Sequence, residues 1–159
     1  VEIWLLRHAM AEDRAASGRD ADRTLTSDGK ARAEAVAKGL AKLDPGIAAV
    51  ITSPYKRARQ TAEPAARELN LASRIRESEA LEPSADPERI LEELDAEELP
   101  SVLLVGHQPH LGALLGRLVG GSGLEIPLKK AAVARIELSG RRSGELRALL
   151  PARVLEKLG

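Results

Sequence analysis

Three short stretches of this sequence combine residue types suited to handling a phosphoryl group. They are Arg7-His8, the run Ser53-Pro54-Tyr55-Lys56-Arg57-Ala58-Arg59-Gln60-Thr61, and Gly106-His107. Arginine presents a planar fork of donors that matches phosphoryl oxygens. Two or three cations focused on one point stabilise the charge that spreads over the equatorial oxygens in the transition state. Neutral imidazole is a competent nucleophile near neutral pH, because its unperturbed pKa is about 6.5. Taken singly, each stretch has a plain structural explanation. Arg-His after a strand is an ordinary solvated strand end, an arginine is an ordinary surface ion pair, and a histidine is an ordinary core residue. The case for chemistry rests on the three occurring together.

The elements that must position these groups are legible from pattern and punctuation. Glu2 to Leu6 reads as a short buried strand running into Arg7-His8. Asp13 to Thr24 reads as a polar loop. Thr26 or Ser27 caps a helix that runs to about Leu43, ended by Pro45-Gly46. Ala48 to Thr52 is a second strand, and Ser53-Pro54 opens a helix to about Leu69 that Pro64 is expected to kink or split. Ile75 to Leu81 gives a short strand into a loop, and Asp86-Pro87 starts a helix to about Leu94. Ser101 to Val105 is the most strand-like segment, followed by a helix from Pro109 to about Val119 and a turn at Gly120 to Gly123. Ala132 to Leu138 and Glu145 to Leu150 form a hairpin, and Pro151 to Leu158 a last short helix.

Strands alternating with helices imply a three-layer α/β/α sandwich on a mainly parallel sheet. Such sheets bind ligands beyond the carboxyl ends of their strands. If the strands before His8, Ser53 and His107 are parallel, all three stretches meet on one edge, and the helix opening at Pro54 adds its positive N-terminus there.

Composition narrows the function further. The 159 residues suit one domain spanning 1–159. There is no cysteine, which excludes disulfides, thiolate nucleophiles and thiolate metal ligands and fits a reducing, cytoplasmic compartment. Lys plus Arg and Asp plus Glu both number 24, so any positive field must be local. That balance argues against a general nucleic-acid or membrane surface. Trp4 and Tyr55 are the only aromatics, so stacking platforms for bases are missing. The opening residues lack the basic start of a signal peptide, and the stretch between Glu98 and Arg117 is too interrupted to span a membrane.

The three stretches, in this order, resemble the histidine phosphatase superfamily, which includes the phosphoglycerate mutases. The resemblance is carried by Leu6-Arg7-His8-Ala9, by Ser53 through Ala62, and by Val105-Gly106-His107. The short length, Leu25-Thr26 before Gly29, and His107-Gln108-Pro109-His110-Leu111-Gly112 are most similar to the small SixA-type phosphohistidine phosphatases. The resemblance implies a phosphoglycerate mutase-like fold and transient phosphorylation of His8. It implies that Arg7, Arg57 and His107 bind the phosphoryl oxygens, with His107 charged or donating a hydrogen bond. No metal or other cofactor is expected, since the pocket's own cations supply the charge. The expected partner is a phosphohistidine-bearing protein or a small phosphorylated substrate.

Two departures from the family pattern matter. The family often has glycine after the nucleophile, where this chain has Ala9; a methyl fits there if φ is negative. Larger members supply a carboxylic general acid from an inserted segment. Here the corresponding stretch is Leu81-Glu82-Pro83-Ser84-Ala85-Asp86, which makes Glu82 and Asp86 the candidates and leaves room for neither to serve. An alkoxide leaving group needs such an acid, whereas a phosphohistidine nitrogen takes its proton more readily from solvent. Dephosphorylation of phosphohistidine in proteins is therefore the leading expectation. A phosphomonoesterase on small metabolites and a phosphate-dependent binding module are the alternatives; a mutase needs a larger enclosed pocket. Arg23 is placed either at the phosphate or substrate peptide or in a loop ion pair. Lys56 and Arg59 are expected on a solvated face, as is the acidic stretch Glu88 to Glu98. His110 is expected at the helix start or pocket rim, and the three histidines lack a carboxylate partner for a metal site.

Overall fold

The structure is a computed structural model that describes residues Val1–Gly159. Six strands are present: β1 (Glu2–Arg7), β2 (Ala49–Thr52), β3 (Ile75–Glu77), β4 (Ser101–Gly106), β5 (Val133–Leu138) and β6 (Gly144–Leu150). They form one sheet in the order β3-β2-β4-β1-β5-β6. The first four are mutually parallel, and β5 and β6 join as an antiparallel hairpin beside β1. Five helices cover it: α1 (Ser27–Lys42), α2 (Lys56–Glu68), α3 (Pro87–Asp95), α4 (His110–Gly120) and α5 (Ala152–Leu158). The three-layer α/β/α sandwich on a mainly parallel sheet expected from the sequence is the fold observed.

The two faces of the sheet follow from the period-two alternation of its strands. Trp4 and Leu6 of β1, with Val50, Leu103 and Val105, pack in one core against α1, α2 and α5. Ile3 and Leu5, with Ile51, Val102 and Leu104, pack in the other against α3 and α4. Because both faces are covered, the central strands read as unbroken apolar runs, which is why the sequence marks them clearly. With so few aromatics the first core is filled on the helix side mainly by alanine, among them Ala33, Ala37, Ala58, Ala62, Ala65 and Ala66. Small side chains of this kind let the helices lie close to the sheet.

Pro64 does not split α2, one of the two outcomes expected of it. The helix continues through it to Glu68, with Pro64 buried. The proline removes one donor from the ladder and its ring crowds the preceding turn, but the buried alanine face on either side of it keeps the helix on the sheet. The short strand into a loop expected over Ile75 to Leu81 is present: β3 spans Ile75–Glu77, and Glu79–Leu81 forms a 3-10 turn capped by the Ser78 hydroxyl. Nor is the acidic stretch simply a solvated face. Glu88 pairs with both Arg117 and Arg142, and Glu93 accepts hydrogen bonds from the Ser78 hydroxyl. No helix is long and apolar enough to cross a membrane.

The helix start at Thr26 fixes the segment that follows the first strand. The Thr26 hydroxyl accepts from the Gly29 amide at 2.9 Å as an N-cap. The Thr26 amide in turn donates to the Met10 carbonyl at 3.0 Å. Helix α1 comes so close that a Cβ on Gly29 would overlap the Met10 carbonyl oxygen. Glycine is required there by space rather than by φ, and it brings α1 against the chain two residues past His8.

Candidate active site

Strand β4 lies between β1 and β2, so His107 emerges between His8 and the Ser53–Arg57 segment. The register aligns the strand ends: Arg7 pairs with Gly106, and Thr52 with Val105. The ladder continues one residue further on both sides. The His8 amide donates to the Gly106 carbonyl at 3.0 Å, and the Ser53 amide to Val105 at 2.9 Å. All three stretches singled out in the sequence therefore converge at the carboxyl edge of parallel strands.

His8 is buried, and its ring lies 5.2 Å from that of His107 between centroids. His8 Nδ1 is 2.6 Å from the Ala9 carbonyl oxygen. A carbonyl only accepts, so this contact puts the proton on Nδ1 and leaves the Nε2 lone pair free. Burial pushes the His8 pKa down to about 4; the Ala9 carbonyl opposes this, and the charges of Arg57, Arg7 and Lys130 reinforce it. The imidazole is thus neutral at pH 7. Ala9 is fully buried in the core and is not at positive φ, so its methyl fits where the family often has glycine. Its amide donates to the Thr61 hydroxyl at 3.1 Å, and that hydroxyl donates to the Arg57 carbonyl at 2.8 Å. Helix α2 is in this way tied to the residue after the nucleophile.

The two arginines are held from opposite sides. Arg7 Nη1 donates to the Leu128 carbonyl at 2.9 Å. Arg57 donates from Nη1 to the Asp20 carbonyl at 2.8 Å and from Nη2 to the Asp20 carboxylate at 3.1 Å. Burial, with Arg57 nearby, lowers the Arg7 pKa from its ordinary value. The Nε donors of both arginines are buried and have no partner, and so is His107 Nδ1. Three orphaned polar groups around His8 are costly to leave unpaired. An anion with three oxygens would satisfy such a set, which has the form of a cradle for an oxyanion.

His107 Nε2 lies 2.8 Å from the Ser53 hydroxyl. Burial drives its pKa down to about 2, helped by the charges of His8 and Arg57. Of the two states expected for His107, the free site therefore holds the neutral one. Ser53 and Tyr55 join the site although their residue types alone do not single them out. The Tyr55 ring stands edge-on to His107 at 5.2 Å and lies 5.2 Å from the Arg57 guanidinium. Asp20 is a further site residue that the sequence does not signal, since nothing in a polar loop distinguishes one aspartate from its neighbours.

The remaining candidates fall in different places. Arg23 lies in a loop ion pair, donating to the Asp20 carboxylate at 2.8 Å and to the Glu12 carbonyl at 2.7 Å. Because Asp20 also holds Arg57, that pair is next to the cradle and not remote from it. Asp86 caps α3, its carboxylate accepting from the Glu88 amide at 3.0 Å, which employs it structurally. Glu82 is half-buried and its carboxylate has no such employment; it follows Leu81, whose carbonyl faces Gly106. Lys56 pairs with Asp22, and Arg59 with Glu63 and Glu77. His110 stands at the start of α4, one of the two places expected, and is buried there; burial lowers its pKa to about 4, opposed by Asp86 and the Ala80 backbone.

These three imidazoles make stability pH-dependent in a defined direction. Each binds a proton more weakly in the folded chain than the ordinary value of 6.5. Above that value both states are neutral and the contribution is complete. As the pH falls below it the unfolded chain takes up protons that the folded chain refuses, so stability drops steadily toward pH 4. We expect a loss on the order of several kcal/mol between pH 7 and pH 4.5, read as a falling urea midpoint. The His110→Leu variant should flatten part of that slope, since it removes a buried imidazole. A midpoint unchanged over this range would contradict the assignment of neutral buried histidines.

The chain belongs to the histidine phosphatase superfamily. The model of its branch 1 matches residues 3–82, which include His8 and Arg57. Over 124 residues the chain is 33% identical to the phosphohistidine phosphatase SixA of Escherichia coli K12, covering 76% of each chain. It is 37% identical over 152 residues to an uncharacterized protein of Picosynechococcus sp., covering 92% of this chain and 88% of that one. The structure of the protein histidine phosphatase SixA complexed with tungstate superposes with a TM-score of 0.88 at 28% identity, covering 98% of this chain and 99% of that one.

Proposed function

We propose that the chain dephosphorylates phosphohistidine in proteins through a phosphohistidine formed on His8. The observation that carries this reading is the cradle itself: a neutral His8 with a free Nε2 lone pair, surrounded by unpartnered donors of Arg7, Arg57 and His107. In the first step His8 Nε2 bonds to phosphorus as the bond from phosphorus to the substrate nitrogen breaks, and that nitrogen takes a proton from solvent. Arg7 and Arg57 hold the equatorial oxygens as charge spreads over them. With its proton on Nδ1, His107 donates to a third oxygen while the Ser53 hydroxyl donates to its Nε2. Water then attacks phospho-His8, releasing phosphate and restoring the imidazole. The cations of the site supply the charge stabilisation without a metal, and the absence of cysteine accords with a cytoplasmic setting.

The similarity to SixA proteins supports a protein-borne substrate. One observation favours a second reading, a phosphomonoesterase on small metabolites: the Glu82 carboxylate has no hydrogen-bond or ion-pair partner, and Glu82 follows Leu81, whose carbonyl lies beside Gly106 at the end of β4. The two readings separate in one comparison, made with EDTA present. A phosphohistidine protein and p-nitrophenyl phosphate are offered to the wild-type chain and to Glu82→Gln. We expect phosphohistidine turnover to exceed ester turnover and to survive Glu82→Gln within about threefold. Faster ester turnover that collapses in Glu82→Gln would assign the site to metabolites. Stable binding with no phosphate release from either would make the chain a phosphate-dependent binding module.

A further inference from the structure

The segment Leu128–Ala131 is fastened to the nucleophile strand at both ends. Leu128 accepts from Arg7 Nη1. The Ala131 amide is shared between the carbonyls of Arg7 and His8, at 3.1 and 3.2 Å. Ala131 adopts φ 58°, an uncommon conformation for a residue with a Cβ. The doubled hydrogen bond holds it there, and strain of this kind concentrates at functional sites. Lys129 and Lys130 lie between the two anchors, both exposed. The Lys130 ammonium is near enough to weigh against protonation of His8.

Lys130 has no carboxylate partner, unlike three arginines nearby. Arg23 and Arg57 share Asp20, and Arg32 is paired with Glu156. Lys130 also lines an open groove of about 430 Å³ with Met10, Asp28, Arg32 and Glu156. The groove runs from the segment beyond His8 over the first turns of α1. Met10, two residues past His8, is 48% exposed in it. Asp28 sits in the first turn of α1, where the helix N-terminus already favours its charge. The groove thus keeps two unpaired charges, Asp28 and Lys130, and of these Lys130 is the one that bears on His8.

We propose that this groove seats the polypeptide flanking the substrate's phosphohistidine, and that Lys130 selects a segment with an acidic side chain next to it. The inference rests on the function proposed above and names how that site chooses among proteins. The phosphoryl group is met by the buried donors of Arg7 and Arg57; Lys130, exposed on the groove wall, meets what adjoins it.

The test uses two phosphohistidine peptides that differ only in Glu or Gln beside the phosphorylated residue, with phosphoramidate as a substrate that has no flank. At low ionic strength the wild-type chain should prefer the Glu peptide by about fivefold in kcat/KM, mainly through KM, and salt should erode the preference. Lys130→Ala should abolish the preference, Lys130→Glu should invert it, and Lys130→Arg should keep it. No preference in the wild type, or one that survives Lys130→Ala, overturns the proposal. So does an equal fall for both peptides and phosphoramidate in Lys130→Ala, which would put Lys130 on the phosphoryl group itself. A wild-type chain that turns over neither phosphoramidate nor either peptide overturns the phosphatase reading, and this inference with it.

Discussion

Replacing His8 by alanine should reduce phosphate release by at least about ten-thousand-fold, from phosphohistidine and from esters alike. The size follows from what the substitution removes. The remaining donors of Arg7, Arg57 and His107 still bind an oxyanion, so the variant should bind substrate while losing the covalent route. Water in the space left by the imidazole is a weaker nucleophile. Binding of inorganic phosphate or tungstate by His8→Ala should therefore stay within about tenfold of wild type, because the cradle's cations remain. Acid-quenched wild-type enzyme should carry one phosphoryl group that mass spectrometry places on His8. Phosphate release persisting in His8→Ala at a tenth of the wild-type rate would sink the nucleophile assignment.

The strands that place His8 and His107 are legible in the amino-acid sequence itself. Strand β1 and strand β4 are buried on both faces, so each is a continuous apolar run that stops at Arg7-His8 or Gly106-His107. A run of that kind reports both its type and its end, and the end is where a parallel sheet binds ligands. Ser53-Pro54 marks the end of β2 as clearly. What the sequence does not carry is the pairing across loops. Asp20 meets Arg57 from 37 positions away, and Leu128 meets Arg7 from 121. No periodicity encodes such contacts, because they depend on how loops close over the strand ends. Pro64 is ambiguous in sequence for the opposite reason. Its local preference is to break a helix, and the buried alanine face of α2 outweighs it. Asp86 shows how a residue type alone misleads: a carboxylate in the right stretch is a candidate acid until its capping bond to Glu88 is seen.

Arg57→Ala should lower kcat by about a hundred- to a thousand-fold, the second largest effect expected. The loss is larger than the removal of one donor because of what Arg57 covers. Asp20 is held by Arg23 and Arg57 together, and its pKa is lowered first by Arg23 and then by Arg57. Without the Arg57 guanidinium the Asp20 carboxylate faces the phosphoryl oxygens with one fewer cation between them. Like charges at that range oppose both binding and the developing transition-state charge. Removing the carboxylate as well should recover part of the loss. The double variant Asp20→Asn with Arg57→Ala is expected to be about three- to tenfold faster than Arg57→Ala alone. Asp20→Asn by itself should be slower than wild type, because Arg57 then keeps the Asp20 carbonyl as an anchor but loses the carboxylate. Opposite signs for the same substitution in the two backgrounds are the signature of a carboxylate that positions an arginine. If Asp20→Asn slows both backgrounds equally, Asp20 does not act through Arg57, and the carboxylate bears on catalysis by another route.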